Sequence, residues 1–276
     1  MHAAAGHPDV LLRRMVAAAL KACRDTGFPA RCLECRDFIP GTHGECAGEE
    51  AGTPGAVALL RPFFCAACLQ GVMPLDPPLC PRCGVMFKGR VGDDHLCGRC
   101  REQPPGFLKA RAAFVYDRSL VDVIHCFKYK GNLQLAAPLG LLLRRTFVRY
   151  WGDERVDAIL PVPLHGRRLR SRGFNQSELL VRAWKNSPAG AQSPPIVAGV
   201  LRRVRATASQ AGLGRRERET NIHNAFDVRR PETIAGRHLL LVDDVVTTGA
   251  TTAEAARVLL KSGAARVDVL ALARVI

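Results

Sequence analysis

The chain has 276 residues, of which 47% are hydrophobic, and a formal net charge of +15 at pH 7. This length excludes a peptide without a core and accommodates either one large domain or a catalytic domain with a smaller module. The positive charge attracts polyanions, but an aromatic content of 6% provides few stacking platforms for nucleic-acid bases.

Residues 10–23 form an amphipathic stretch in which arginine and lysine lie among leucine and alanine. Its apolar run is too interrupted for the hydrophobic region of a signal peptide or for a membrane span. We therefore expect a cytoplasmic protein that does not insert into a membrane, with residues 1–31 as an N-terminal helix or extension. Reduced thiols in that compartment favour metal binding over a disulfide framework.

Ten of the eleven cysteines precede residue 101, and eight of these ten form four Cys-x-x-Cys knuckles. Two thiolates at this spacing can face one tetrahedral cation, so two knuckles complete a zinc site. The third and fourth knuckles are separated by thirteen residues, a spacing typical of a zinc ribbon. We pair the first and second knuckles as the other site. Residues 41–57 lie between them, and their composition predicts a flexible insertion. Cys46 in this insertion is a substitute ligand or a spare thiol. The ligands predicted for two structural zinc ions are Cys32, Cys35, Cys65 and Cys68, and Cys80, Cys83, Cys97 and Cys100.

Pro104, Pro105 and Gly106 end the cysteine-rich region and start an extended connector. We therefore place a double zinc ribbon at residues 32–105 and a second domain at residues 106–276. The pattern beyond the connector alternates between strands and helices, which is typical of an α/β domain. Its predicted elements are a strand at residues 112–116, helices at 120–129 and 133–150, and a buried strand at 156–162, with Cys126 as buried packing.

A basic string, PVPLHGRRLRSRGFNQS at residues 161–177, follows the second predicted strand. Four arginines in six positions supply forked donors for the oxygens of a diphosphate. We predict a basic loop that leads into a helix ending near residue 184, with Asn175 and Gln176 capping that helix or reaching the ligand. The alternative is a solvated basic face.

Residues 203–226 contain recurring polar side chains without a clear helical stripe. This pattern predicts a mobile loop that partly orders over the ligand site and excludes water from it. Its distinctive residues are Arg205, Thr207 and Gln210.

The apolar run at residues 239–242 suits a strand that is buried on both faces of a parallel sheet. Asp243 and Asp244 therefore emerge at its C-terminal end, the edge where ligands bind in open α/β sheets. Gly249 lets backbone approach a ligand, and a helix predicted at residues 251–262 presents free N–H groups to a monophosphate. Two adjacent carboxylates before such a loop can hold the vicinal hydroxyls of a ribose. An ordinary βα turn is the alternative, whereas a Walker-type loop is excluded because no Gly-Lys-Ser/Thr follows.

The run VDDVVTTGAT at residues 242–251 resembles the phosphoribosyl diphosphate (PRPP) loop of type I phosphoribosyltransferases. Over residues 32–276 the chain is similar to the ComF family, which includes the GntX-type proteins. This resemblance rests on that run together with RGFNQ at residues 172–176, the polar string at 205–210 and the knuckles. HCFKYKG at residues 125–131 resembles another string of that family. The resemblance implies a type I phosphoribosyltransferase domain, a parallel sheet flanked by helices, preceded by a double zinc ribbon.

The resemblance also implies roles for individual residues. Asp243 and Asp244 would hold the ribose hydroxyls as the catalytic pair, while Mg²⁺ would neutralise the diphosphate as a nucleophile displaces it from C1 of PRPP. Lys128 borders the site, with a solvated helix end as the alternative. The implied 5′-phosphate ligands are Val246, Thr247, Thr248, Gly249, Ala250 and Thr251, and the implied diphosphate or other ligand contacts are Lys128, Arg168, Arg172, Asn175 and Gln176.

Three functions are compatible with this resemblance: a phosphoribosyltransferase of unknown acceptor, a PRPP or nucleotide sensor without turnover, and a single-stranded-DNA-binding protein that uses the fold as a binding module. The ComF family is associated with handling of internalised DNA during natural transformation. The implied partners are therefore PRPP and either single-stranded DNA or the DNA-uptake machinery.

Overall fold

The computed structural model describes residues 30–39, 55–89, 91–186, 193–207 and 214–276. The helix predicted over residues 10–23, most of the predicted insertion with Cys46, and Gln210 lie outside the described residues. The chain divides into two compact units between Gln70 and Gly71. The domain bounds at residues 32 and 106 stay a prediction.

The first unit contains the first two cysteine knuckles and a small apolar core. Arg31 and Phe38 form an antiparallel bridge around the first knuckle. A 3-10 helix at Gly55–Leu60 and helix α1 at Ala66–Gln70 surround the second. The backbone N–H of Leu33 donates to the carbonyl of Phe63 at 2.9 Å, which ties the two knuckles together. The buried side chains of this core are Val57, Leu60, Phe64 and Leu69.

The second unit is built on a parallel sheet. Of the six strands in the described part of this unit, four pair in parallel in the order β1-β6-β5-β2, and β3 and β4 form a separate antiparallel pair. The residues at 239–242 at the centre of β5 are fully buried, as expected for a strand covered on both faces. The strands are β1 (Ala110–Val115), β2 (Ala158–Pro161), β3 (Leu201–Arg203), β4 (Phe226–Val228), β5 (His238–Val246) and β6 (Arg266–Arg274).

Helices flank the sheet, and the predicted fold class, an α/β domain with a parallel sheet, is confirmed. The helices predicted at residues 120–129, 133–150 and 251–262 are present within a few residues of their expected bounds. In the described part of the chain, no helix is both long and apolar enough to cross a membrane. After α1 the helices are α2 (Gly98–Glu102), α3 (Arg118–Tyr129), α4 (Ala136–Trp151), α5 (Gly166–Arg172), α6 (Gln176–Arg182), α7 (Arg215–Ile222) and α8 (Ala250–Lys261), with 3-10 turns at Leu133–Leu135, Ala183–Asn186 and Pro231–Thr233.

The prediction of a loop in the basic string was wrong, because seven of its residues form α5. The ring of His165 accepts a hydrogen bond from the N–H of Arg167 at 3.3 Å and caps the helix. Gly173, with a φ of 83°, ends the helix in the left-handed conformation that glycine adopts without strain. Arginine and leucine are good helix formers, so a short helix between these two signals needs no apolar stripe.

The prediction of a loop was also wrong for α7, which lies between β3 and β4. The Glu217 carboxylate accepts a hydrogen bond from the N–H of Gly214 at 2.6 Å, which satisfies one donor at the start of the helix. Ile222 is buried at its end and joins the core of the second unit. The sequence of α7 has no amphipathic stripe, so this cap and the buried Ile222 side chain stabilise the helix instead.

Candidate functional site

A cavity of about 340 Å³ opens at the C-terminal edge of the parallel sheet. Tyr116 follows β1, the segment from Val162 to Leu164 follows β2, and Asp243 lies near the end of β5. This is the edge where open α/β sheets bind ligands, and the volume is in the range of small-molecule pockets. The predicted site residues that line the cavity are Lys128, Arg168, Arg172, Gln176, Asp243, Asp244, Val246, Thr247, Gly249, Ala250 and Thr251.

The two carboxylates of the cavity are held by different partners. Asp244 is buried and forms an ion pair with the Nζ of Lys128, which α3 delivers. Asp243 Oδ1 accepts a hydrogen bond from the Ser177 hydroxyl at 3.2 Å and another from the backbone N–H of Asp244 at 2.9 Å. The acidic pair is therefore fixed from α3 on one side and from α6 on the other.

Near neutral pH, the negative charge of Asp243 is balanced by the positive charge of Lys128. Burial raises the pKa of Asp243 to about 6, although Lys128, Ser177 and Arg203 act in the opposite direction. Burial also lowers the pKa of Lys128 to about 8, with Asp243 opposing that change and Arg172 and Arg168 adding to it. Between these two pKa values the Asp243 carboxylate and the Lys128 ammonium are both charged. A ligand that carries hydroxyls and a bound cation therefore meets ionised side chains.

The loop between β5 and α8, residues 247–249, forms a cradle for an anion. Gly249 has a φ of 79°, which places the turn in the left-handed region. The Thr248 hydroxyl accepts from the N–H of Ala250 at 3.3 Å, and the Thr252 hydroxyl donates to the carbonyl of Gly249 at 3.1 Å. The first N–H groups of a helix have no partner within the helix and carry the positive end of its dipole. This cradle suits a monophosphate.

Arginines also line this cavity, and we call them the arginine wall. Arg168 and Arg172 lie one turn apart on α5 and both line the cavity. The guanidinium of Arg172 donates to Gln176 Oε1 at 2.7 Å and lies 5.0 Å from the centre of the Tyr129 ring. Arg203 and Arg218 also line the cavity. Several guanidinium groups directed at one space are suited to a polyphosphate.

Apart from the cysteines, four of the predicted site residues that the structure describes do not line the cavity: Asn175, Arg205, Thr207 and Thr248. Asn175 caps α6 by accepting from the N–H of Ser177 at 3.1 Å, and its amide donates to the carbonyl of Val162 at 3.1 Å. Arg205 donates to the carbonyls of Asn221 and His223 at 2.8 and 2.6 Å, and the Thr207 hydroxyl accepts from Arg203. These contacts connect the ends of neighbouring elements.

Several residues that form the site were not singled out as site residues from the sequence, among them Tyr116, Ser177 and Arg203, whose side chain lines the cavity and whose charge acts on Asp243. Tyr116 lines the cavity and directly follows β1, so its position one residue beyond a predicted strand was the available signal. Ser177 follows the predicted cap Asn175 by two residues, but no sequence pattern indicates that its hydroxyl meets Asp243, which lies 66 residues further along the chain.

Both predicted knuckle pairings bring four sulfurs together. In each group the Sγ atoms lie within 4.8 Å of one another. The Sγ atoms of Cys35 and Cys65 are 3.6 Å apart, and those of Cys83 and Cys97 are 3.7 Å apart. Four thiolates bonded to a tetrahedral zinc ion at about 2.3 Å have edges of about 3.8 Å. The two donor sets therefore fit two structural zinc ions. We call the group of Cys80, Cys83, Cys97 and Cys100 the second tetrad.

A third cluster of possible metal ligands lies at the N-terminal edge of the sheet. Glu154, His238 and Asp268 lie within 4.8 Å of one another. Asp268 accepts hydrogen bonds from Trp151, His238 and Arg266, and Glu154 pairs with Lys109 and Arg266. The carboxylates are committed to cations and donors of the protein, so this cluster is a structural ion-pair network.

Comparisons with known proteins agree with this architecture. The sequence profile of the phosphoribosyl transferase domain matches residues 184–275. The chain is 37% identical over 218 residues to the DNA utilization protein YhgH of Escherichia coli strain K12, covering 76% of this chain and 90% of that protein. It is 29% identical over 254 residues to Competence protein F of Haemophilus influenzae, covering 90% and 98%. It is 26% identical over 214 residues to Competence protein ComFC of Bacillus subtilis, covering 76% and 84%.

Proposed function

Because this chain belongs to the ComF family, we propose that it is a PRPP-binding, phosphoribosyltransferase-like protein with a role in DNA uptake or utilisation. One observation carries the proposal: an acidic pair, an anion cradle and an arginine wall converge on one cavity at the C-terminal edge of the sheet. Each of these features suits a different part of PRPP.

In the proposed complex, the 5′-phosphate lies in the cradle of residues 247–249 and accepts hydrogen bonds from the N–H groups at the start of α8. Asp243 and Asp244 accept hydrogen bonds from the two ribose hydroxyls. Arg168 and Arg172 donate to the diphosphate. The carboxylate oxygens are also the hard ligands that Mg²⁺ prefers, and Mg²⁺ bound with PRPP would neutralise charge on the leaving diphosphate.

If the protein is catalytic, a nucleophile attacks C1 of the ribose while the bond from C1 to the diphosphate oxygen breaks. The electron pair leaves with the diphosphate, and positive charge develops on the ribose ring. The anionic Asp243 and Asp244 stabilise that charge, and the arginine wall binds the leaving group. Positioning and electrostatics supply the rate enhancement, so the protein contributes no covalent nucleophile.

The names of the relatives, a DNA utilization protein and two competence proteins, support the proposed link to DNA. A second candidate function, binding of single-stranded DNA, is supported by exposed arginines around the cavity. Contacts of several arginines with phosphates make the affinity fall steeply with salt, so an affinity that does not change with salt would exclude this candidate. The proposed location is the cytoplasm. The exposed arginines are Arg167, Arg168, Arg170, Arg202 and Arg205.

Isothermal titration with PRPP, with and without Mg²⁺, tests the proposed function. We expect binding to the wild type and none to the Asp243→Asn, Asp244→Asn double variant, because the amides cannot replace two anionic acceptors. The matched control is Asp153→Asn, an exposed carboxylate outside the cavity. PRPP affinity that survives the double substitution would contradict the role of the acidic pair.

Release of diphosphate on addition of candidate bases then distinguishes a transferase from a sensor that binds PRPP without turnover. Binding with release indicates a transferase and directs the search to its acceptor. Binding without release indicates a sensor. Absence of PRPP binding by the wild-type protein would overturn both.

A further inference from the structure

The second tetrad is attached directly to the first strand of the phosphoribosyltransferase sheet. The backbone N–H of Ala110 donates to the carbonyl of Arg82 at 2.7 Å. Gly84 has a φ of 68°, and a Cβ at this position would lie 2.3 Å from the carbonyl oxygen of Ala110. The knuckle and β1 therefore approach each other backbone to backbone, and the core of the second unit includes Cys80, Cys83 and Cys100. The tetrad is part of the domain that contains the cavity.

Two buried arginines of the sheet lie against this tetrad. Arg111 on β1 donates to the carbonyls of Pro81 and Ala110 at 2.9 and 2.8 Å. Arg274 at the end of β6 is buried and interacts electrostatically with the Cys80, Cys83 and Cys100 sulfurs. Buried cations need compensating negative charge. Four thiolates on one zinc ion carry a net negative charge, so the metal-loaded tetrad supplies it.

A third arginine extends from the tetrad to the anion cradle. Arg99 lies on α2 between the ligands Cys97 and Cys100, and its guanidinium donates to the backbone carbonyl of Thr248. This contact joins segments that are 149 residues apart. Thr248 itself belongs to the loop of residues 247–249 that leads into α8.

The contact at Thr248 controls the orientation of one peptide group. The peptide that joins Thr248 to Gly249 has its carbonyl held by Arg99, so its N–H is on the opposite side. Gly249 tolerates positive and negative φ about equally, so nothing in its own conformation prevents this peptide from turning over. A turned peptide would present its carbonyl oxygen to a phosphate and repel it. A charge-assisted bond to the carbonyl also polarises the peptide and strengthens its N–H as a donor.

We propose that Arg99 is a positioning residue for the phosphate loop, and that metal binding at the second tetrad orders the loop through this side chain. The consequence for PRPP rests on the proposed function, whereas the consequence for the loop itself does not. The zinc site would thereby be coupled to ligand binding as well as to folding.

Hydrogen–deuterium exchange of the ligand-free, zinc-loaded protein tests the effect on the loop. In Arg99→Ala we expect exchange in the peptide that covers residues 247–252 to rise about tenfold or more, because a hydrogen bond to a charged group has been lost. Arg99→Lys restores part of the protection. Arg101→Ala on the same helix, an exposed side chain, leaves exchange in this peptide unchanged. Identical exchange in Arg99→Ala and wild type would overturn the proposal.

Removal of zinc with EDTA provides the second arm of this test. In wild type we expect the same increase in exchange over residues 247–252, and in Arg99→Ala we expect little further increase, because the connection is already broken. A loop that loosens equally on zinc removal with and without Arg99 would show that the metal does not act through this side chain.

Titration with PRPP completes the experiment. We expect Arg99→Ala to bind PRPP about tenfold more weakly than wild type, a difference of about 1.4 kcal/mol. Equal affinities would overturn the positioning role in ligand binding. If the wild type does not bind PRPP, the proposed function fails, while the exchange measurements still decide whether Arg99 orders the loop.

Discussion

The two edges of the parallel sheet carry similar residues with opposite uses. At the N-terminal edge, Lys109, Arg266 and His238 meet the carboxylates of Glu154 and Asp268, and the hydrogen bonds are made within the protein. At the C-terminal edge, five cationic side chains and two carboxylates of the described residues line the cavity, an excess of three positive groups (5 − 2). The comparison shows that an unbalanced cluster at the ligand edge, rather than a cluster as such, indicates a binding site. The five cations are Lys128, Arg168, Arg172, Arg203 and Arg218.

We expect the largest effect on stability at the N-terminal edge, where cationic side chains and carboxylates pair with each other. Asp268 is completely buried and accepts bonds from Trp151 at 2.8 Å and Arg266 at 2.7 Å. Asp268→Asn removes the charged acceptor from this buried network, and we expect a loss of about 3 kcal/mol in the free energy of unfolding. Urea denaturation measures it, with the exposed Glu232→Gln as control. PRPP affinity of the folded protein should change little, and a large loss of affinity at unchanged stability would reverse the roles of the two edges.

At the C-terminal edge, where cationic side chains outnumber carboxylates, we expect substitutions to weaken PRPP binding more than they change stability. Arg168→Ala and Arg172→Ala each remove a charge-assisted donor and should weaken PRPP binding by about 1.5–3 kcal/mol. Stability should stay within about 0.5 kcal/mol for Arg168→Ala, because its side chain is exposed. Titration calorimetry and urea denaturation on the same samples separate the two quantities. Arg229→Ala, also exposed but outside the cavity, is the matched control.

The smallest predicted effect is in the pH dependence at the acidic pair. Because burial raises the pKa of Asp243 to about 6, its contribution to stability falls as the pH rises from about 4 to 6, where the unfolded state has already released the proton. PRPP affinity should rise over the same window as the carboxylate ionises. The variant that tests the pH dependence is at Lys128, on the alkaline limb of the profile.

Lys128 controls that alkaline limb. Burial lowers its pKa to about 8, so the folded protein loses the ammonium charge above that pH while an unfolded chain keeps it, and stability rises from about pH 8 toward 10.5. PRPP affinity should decrease above about pH 8, since one cation of the cavity is lost. In Lys128→Arg the charge is retained and this decrease should disappear. An unchanged alkaline limb in that variant would assign it to another group.

Local patterns predicted much of this molecule. The apolar run before Asp243, the glycine at the start of α8 and the spacing of the knuckles each depend on neighbours within one segment. The same approach failed for α5 and α7, because a capping residue and a terminal glycine or isoleucine define short helices that have no amphipathic stripe. Both helices are recognisable from their caps, but only when the polar string is not taken for a loop.

The sequence by itself determined the fold class, the place of the acidic pair in β5 and the glycine turn that follows it, because hydrophobic periodicity, glycine conformations and motif spacing are local properties of the chain. Only the tertiary structure decided that Lys128 pairs with Asp244, that Ser177 meets Asp243 and that Arg99 reaches Thr248. These contacts join segments that are far apart in sequence. Their formation depends on how the sheet and its helices pack together, and no spacing along the chain encodes it.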